Sequence, residues 1–198
     1  DSEIFPVLDA LFTGIYGHNP YKSPTDMGVN MVGFCIDDDA ACCEASKQEI
    51  IRRYYHALND FANGDISESV VNRIARLFKQ VGISTADRRT TVAANERKER
   101  NNNIAVGAIE LHDGHIITAE ASPLLGSSAA LLLNATKYLA GIDHDVKLIP
   151  QEMIEPIQHT KISYLRGRNP RLHTDEVLVA LSVLSLHDEN CRKTLEAL

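Results

Sequence analysis

The segment YKSPTDMGVN, residues 21–30, gathers polar side chains that could bind a phosphate group. Its Pro, Gly, Ser and Asp residues predict a loop, and loops held between rigid elements often carry function. The alternative is an ordinary connector whose hydroxyl and carboxylate groups form turn hydrogen bonds or cap a short helix. The residues with suitable groups are Lys22, Ser23, Thr25, Asp26 and Asn30.

A second cluster, NPRLHTD at residues 169–175, precedes an apolar helical pattern. The N-terminus of a helix attracts anions through its backbone N–H groups and its dipole. Arg171 would add a positive charge, His173 an acid–base group, and Thr174 a helix cap. The alternative is a capped helix with two exposed side chains.

The composition excludes several classes of function. The net charge of −7, from 20 basic and 27 acidic residues, argues against a nucleic-acid binder. No apolar run reaches the roughly 18 residues that a membrane span needs. The eight histidines form no H-E-x-x-H motif, so we predict no metal site. The cysteines form no C-x-x-C pair, which favours reduced thiols and a cytoplasmic location.

Helical spacing dominates the first part of the chain. Capping patterns at Asp65–Glu68 and Ser84–Asp87 mark two helix starts, and glycines mark three helix ends. The predicted helices run from Ile4 to Gly17, from Asp37–Asp39 to Asn63–Gly64, from Asp65 to Gly82, and from Ser84 to about Asn101.

The second part mixes strand and helix patterns. Two alternating runs around the turn His112–Gly114 predict a β-hairpin, and the apolar segment after them predicts a buried helix. The domain boundary should therefore lie near residues 84–103. The predicted elements are strands Ile104–Leu111 and His115–Glu120, helix Ser122–Gly141, strand Val146–Ile149, the ambiguous segment Pro150–Leu165, and helices Thr174–Leu186 and Asn190–Leu198.

Four separate segments resemble the C-terminal part of a bacterial family known as domain of unknown function eighteen forty-six. They are SPTDMGVN, EASKQEIIRRYY, LLGSSAALLLNATKYLAGI and NPRLHTDEVLVALS. Members of this uncharacterised family are larger, and their N-terminal part has a glycine-rich segment similar to a phosphate-binding loop. The resemblance implies that this chain, which begins with Asp1, is a piece of a longer protein.

For the second half, the resemblance also implies a cytidine-deaminase-like layered subdomain, 85–198. Together with the helical subdomain 1–84 predicted from the helical spacing, this gives an α/β (α+β) fold. A deaminase of that fold holds zinc between the heads of two helices. Here those places carry Ser127–Ser128–Ala129 and Pro170–Arg171–Leu172–His173, which lack the thiolates and the general-acid carboxylate. We therefore expect the scaffold without its zinc motif.

These observations favour the C-terminal half of a cytoplasmic enzyme acting on a phosphorylated metabolite or nucleotide. Lys22 and Arg171 would neutralise phosphate, Asp26 and His173 would be catalytic, and the loop and helix start would meet in an interdomain cleft. No cofactor is expected in this fragment itself, although a nucleotide could bind together with its own N-terminal domain. The alternative is a scaffolding module that forms a homo-oligomer and has no site of its own.

Overall fold

A computed structural model describes residues 4–24, 26–27, 38–101 and 104–198. The chain divides into two compact units, Asp1–Arg88 and Arg89–Leu198. Helices predominate, and the described residues contain one two-stranded sheet, in the second unit. The predicted α+β class is therefore confirmed.

Helices build the first unit. They are α1 (Phe5–Tyr16), α2 (Asp39–Asn63) and α3 (Glu68–Val81), followed by the 3-10 turn Thr85–Asp87. Each α-helix ends at a glycine in the left-handed conformation, with φ of 78° at Gly17, 85° at Gly64 and 66° at Gly82. The three predicted helix ends are confirmed, because a residue without a Cβ adopts this conformation without strain.

The core of the first unit forms between α2 and α3. Ile50 and Ile51 of α2 pack with Leu77 of α3 and with Ile83. The predicted capping box at Asp65 is wrong, because the Asp65 N–H donates to the Asp60 carbonyl and so closes the end of α2. The next helix begins three residues later, at Glu68. Val71 of this helix is buried, with 7% of its surface exposed.

The pair Ser84 and Asp87 forms the predicted capping box. The Ser84 N–H donates to Asp87 Oδ2 over 2.6 Å, and the Ala86 N–H donates to Ser84 Oγ over 3.2 Å. The box closes the single 3-10 turn Thr85–Asp87, and the following helix begins separately at Arg89.

The second unit surrounds a β-hairpin with helices. Strands β1 and β2 are antiparallel, with Val106 opposite Glu120 and Glu110 opposite Ile116, which confirms the predicted hairpin. Helices α4 and α5 both pack against it. The elements are α4 (Arg89–Arg100), β1 (Val106–Glu110), β2 (Ile116–Glu120), α5 (Ser127–Leu139), α6 (Gln151–His159), the π-helical turn Thr160–Tyr164, α7 (Thr174–Leu184) and α8 (Glu189–Glu196).

The main core of this unit lies among α5, α6, α7 and α8. Its members include Leu133, Ile154, Val177, Leu181 and Cys191. The prediction of a buried α5 is confirmed for its central part: five residues between Ala129 and Lys137 are buried, whereas Tyr138 and Leu139 at the C-terminal end are exposed.

The predicted strand Val146–Ile149 is wrong. Leu148 and Ile149 are buried, so the apolar pattern reports packing, but the backbone pairs with no strand. Side chains bind its carbonyls instead: Lys137 Nζ donates to the Val146 carbonyl, and Cys191 Sγ donates to that of Leu148.

Candidate functional site

The first predicted cluster contains a compact helical turn in the first unit, in which Pro24, Asp26 and Met27 have helical conformation and the Met27 N–H donates to the Ser23 carbonyl over 3.0 Å. Ser23 and Asp26 are buried, with exposed fractions of 2% and 3%. Asp26 Oδ2 accepts the Lys22 N–H over 2.7 Å, and Ser23 Oγ accepts the Asp26 N–H over 3.0 Å. The Ser23 hydroxyl also donates to Cys42 Sγ over 3.0 Å. These contacts are the ones that the connector interpretation expects.

Lys22 is the exposed member of this turn. Lys22 and Ser23 line a cavity of about 270 Å³ that also includes Lys47 of α2. A small anion could therefore approach two lysines there. The predicted site residues Thr25 and Asn30 lie outside the described residues.

The second predicted cluster lies in the other unit, at the start of α7. Arg171 is exposed, and its Nε donates to the Ser122 carbonyl over 2.8 Å. His173 is exposed, and its Nε2 lies 3.3 Å from the Asn169 amide nitrogen. Thr174 is not the cap: His173 takes the N-cap position, and Thr174 is the first residue of the helix. The predicted meeting of this cluster with Lys22 in one cleft stays a prediction.

Glu176 explains why the helix begins where it does. Its Oε2 accepts the His173 N–H over 2.8 Å and also binds Lys161 Nζ at 2.8 Å. Lys161 Nζ donates to the Arg171 carbonyl as well, over 2.8 Å. Burial raises the pKa of Glu176, but the bonds from Lys161 and His173 outweigh it, so the pKa lies below the ordinary value of 4.5.

Two helices of the second unit begin side by side. Leu125 and Leu172 form a parallel bridge. The Leu172 N–H donates to the Leu124 carbonyl over 2.9 Å, and the Gly126 N–H donates to the Leu172 carbonyl over 3.0 Å. Helix α5 begins two residues after one of these leucines, and α7 begins two residues after the other. The positive ends of two helix dipoles therefore lie next to each other.

One group of potential metal ligands occurs at this place among the described residues. His173, Asp175 and Glu176 each offer one ligand atom, all within 4.8 Å of one another. The Glu176 oxygen nearest the helix start already accepts two hydrogen bonds. This acidic cluster does not by itself define a metal site.

A larger cavity, which the sequence did not predict, runs along α5. It has a volume of about 740 Å³, within the range of small-molecule sites. Ser122, the acceptor of Arg171, lies in its wall, so the start of α7 flanks it. Its polar and charged lining residues include Asn134, Lys137, His144, Asp145, Lys147, Gln151 and Glu152.

Lys137 is the distinctive residue of this cavity. It is only 8% exposed, and its Nζ donates to the His144 carbonyl over 2.5 Å and to the Val146 carbonyl over 3.3 Å. Burial lowers the pKa of Lys137, and the carboxylates of Asp145 and Asp143 partly oppose this change. The available signal was a single charged residue inside the apolar run LLLNATKYLA.

These features describe an α+β protein of two units, with a ligand-sized cavity in the second. The chain belongs to the DUF1846 family: the model "Domain of unknown function DUF1846, N-terminal" matches residues 1–82, and "Domain of unknown function DUF1846, C-terminal" matches residues 86–198. The predicted family is confirmed. The N-terminal match does not support placing the whole chain in the family's C-terminal part.

Curated relatives carry the description UPF0371 protein. The chain is 54% identical over 198 residues to one from Corynebacterium urealyticum, 52% identical to one from Corynebacterium aurimucosum, and 49% identical to one from Streptococcus thermophilus. Each match covers the whole chain and 40% of the relative. The chain therefore spans less than half the length of these bacterial relatives. Among the described residues, no helix is both long enough and apolar enough to cross a membrane.

Proposed function

We propose that this chain contributes a binding site for a phosphorylated metabolite or nucleotide to a larger enzyme, and that the ligand occupies the larger cavity along α5. The observation that carries the proposal is the position of Lys137. The residue is only 8% exposed, and His144 and Lys147 line the same cavity. Cationic and N–H donors of this kind recognise phosphate oxygens.

An ammonium group has three N–H donors. The two carbonyl bonds of Lys137 use two of them and leave one for a ligand. The amide of Asn134 lies one helical turn earlier on the same wall and supplies further donors for a sugar hydroxyl. Both residues belong to the same helix, α5, so the helix geometry sets the spacing between the two groups.

The predicted residues at the start of α7 extend this site. Arg171 contacts Ser122 at the edge of the cavity, which favours a role for its guanidinium group in phosphate neutralisation. In this proposal His173 is the acid–base group and Thr174 a substrate contact. The contribution of Lys22, Ser23 and Asp26 from the first unit remains part of the same hypothesis.

The cytidine-deaminase-like interpretation belongs to the proposal as well. Such a scaffold requires the heads of two helices to lie close enough to share one site. The parallel bridge between Leu125 and Leu172 supports this interpretation, because it joins the segments that lead into α5 and α7. The side chains there are serines and a histidine, so the interpretation concerns the scaffold and implies no deamination.

Calorimetry on the intact protein, with a panel of nucleotides and sugar phosphates, tests the proposal. Lys147→Gln and His144→Gln alter exposed cavity residues and should each weaken binding about tenfold, since the first removes a charge-assisted contact and the second removes the imidazole as a hydrogen-bonding group. Lys193→Gln on α8 is the matched control, because this lysine is exposed and does not line the cavity. Unchanged affinity in both cavity variants, or no binding of any ligand, contradicts the proposal.

The predicted loop and helix-start contacts need their own variants. Lys22→Ala and Arg171→Ala should weaken phosphate-bearing ligands while leaving the thermal unfolding midpoint nearly unchanged, because both side chains are exposed. Unchanged binding in both variants restricts the site to the cavity along α5 and removes the two predicted clusters from it.

One observation favours the scaffolding alternative. Val7, Leu11 and Ile15 occupy one face of α1 and are 66%, 51% and 63% exposed. In that alternative, this face contacts a second copy of the chain. Light scattering on the intact protein separates the two hypotheses: a stable oligomer that Leu11→Glu dissociates, together with no ligand binding, favours scaffolding.

A further inference from the structure

A second cavity adjoins the larger one and changes the kind of ligand that the groove can accept. It has a volume of about 360 Å³ and shares three lining residues with the larger cavity: Asn134, Lys137 and His144. The two cavities are therefore neighbouring compartments of one groove along α5. Lys137 and His144 line both compartments, so they lie where the compartments meet.

An aromatic pair lines the smaller compartment. The rings of His115 and Tyr138 stack with centroids 4.4 Å apart and an angle of only 4° between their planes. Tyr138 is 44% exposed and His115 is exposed too, so the pair retains accessible ring surface. A flat, accessible aromatic surface at a cavity wall is the kind of surface on which a planar heterocycle stacks.

The hairpin turn holds this pair in place. The Tyr138 hydroxyl donates to Asp113 Oδ2 over 2.9 Å, and the backbone N–H of His115 donates to Asp113 Oδ1 over 2.8 Å. The Asp113 carboxylate thus positions both aromatic residues: His115, in the turn that precedes β2, and Tyr138, on α5. Such a pair needs little reordering when a ligand stacks on it, which reduces the entropy cost of binding.

The geometry points to a nucleotide as the ligand of this groove, with its base stacked on the His115–Tyr138 pair and its phosphates near Lys137, His144 and Lys147. This inference rests on the proposed function and narrows its ligand class. A sugar phosphate would use the cationic groups but has no planar ring for the aromatic pair. The aromatic compartment therefore distinguishes nucleotides from the other phosphorylated metabolites that the proposed function allows.

Calorimetry on the intact protein with adenosine 5′-monophosphate, uridine 5′-monophosphate and ribose 5-phosphate, which carry one phosphate each, tests the inference. At least one nucleotide should bind about tenfold or more tightly than ribose 5-phosphate, because stacking of one base has about this effect. Tyr138→Leu should remove this preference and leave the affinity for ribose 5-phosphate unchanged. Tyr138→Phe keeps the ring, so it should retain most of the preference even without the hydrogen bond to Asp113.

The chain offers a matched control in a second His–Tyr pair. His159 and Tyr164 meet edge-on with centroids 5.7 Å apart, and Tyr164 is 73% exposed. Tyr164→Leu should leave all three affinities unchanged, since this pair lines neither compartment.

The outcomes separate the two claims. If ribose 5-phosphate and the nucleotides bind equally, and Lys147→Gln weakens them all while Tyr138→Leu changes none, the nucleotide inference is wrong and the proposed function stands. If none of the phosphorylated probes binds, both claims are wrong. If Tyr138→Leu loses the preference for nucleotides and Tyr164→Leu keeps it, the result supports both the proposed function and the nucleotide inference.

Discussion

The substitution Glu176→Gln tests how the start of α7 is held. Glutamine keeps an oxygen that can accept the His173 N–H, but it removes the negative charge beside Lys161. The side chains of Lys161 and Glu176 are only 11% and 25% exposed. An exposed ion pair contributes up to about 1 kcal/mol, whereas breaking a buried pair costs about 3–5 kcal/mol. This partly buried pair lies between these limits, so we expect a loss of about 2 kcal/mol.

Hydrogen–deuterium exchange of the peptides that cover α7 measures this loss in the intact protein. A change of about 2 kcal/mol in the free energy of local opening corresponds to about 30-fold faster exchange. Glu189→Gln on α8 is the matched control. Its carboxylate also forms an ion pair, with Arg192 over 2.6 Å, but its side chain is 60% exposed, so the exchange rate should change far less.

The same pair predicts a dependence on pH. Since the folded-state pKa of Glu176 lies below 4.5, the folded protein binds protons at this carboxylate less readily than the unfolded chain does. Its stabilising effect is therefore complete above about pH 4.5 and is lost as the pH falls through the lower folded-state pKa. The difference between wild type and Glu176→Gln should shrink over that acidic range. Equal exchange in the two glutamine variants, or a difference that grows in acid, would refute the assigned role of Glu176.

Three further results are expected. Burial lowers the pKa of Lys137, so the stability of the wild type should rise as the pH increases toward 10.5, and thermal unfolding should show that Lys137→Met loses this rise. Burial raises the pKa of Cys191 to about 11, so iodoacetamide and peptide mapping should show alkylation at least about tenfold slower than at Cys43, which is only partly buried. Gly82→Ala should cost about 1 kcal/mol in urea unfolding because φ is 66°, whereas Gly14→Ala, inside α1 with open space around it, should stabilise slightly.

Local sequence signals predicted most of the elements. Glycine after an apolar helical pattern predicted the ends of α1, α2 and α3, because left-handed conformation is a property of the residue itself. The turn at Gly114 between two alternating runs predicted the hairpin in the same way. The wrong prediction of a helix cap at Asp65 shows the limit of such signals. The Asp65 N–H donates to the Asp60 carbonyl at the end of the preceding helix instead.

The groove could not be predicted because its walls come from separate parts of the chain. Leu125 and Leu172 are adjacent in space but 47 positions apart, and no local pattern reports their parallel bridge. The segment Val146–Ile149 has a strand-like pattern, yet its carbonyls bind the side chains of Lys137 and Cys191. The decisive contacts are thus between side chains and backbone across tertiary distances, which propensity does not encode.

The burial of Lys137 has a consequence for both its structural and its proposed functional role. Placing an ammonium group in an apolar helix is costly, and its bonds to the His144 and Val146 carbonyls offset part of that cost. The same bonds hold the loop residues 144–149, which also line the larger cavity. Burial removes water from the charged form of Lys137. An anion that accepts the third N–H would stabilise this charged form again, and so would raise the pKa of Lys137. Ligand binding and the charge of this lysine should therefore be linked, with uptake of protons when a phosphate binds at alkaline pH.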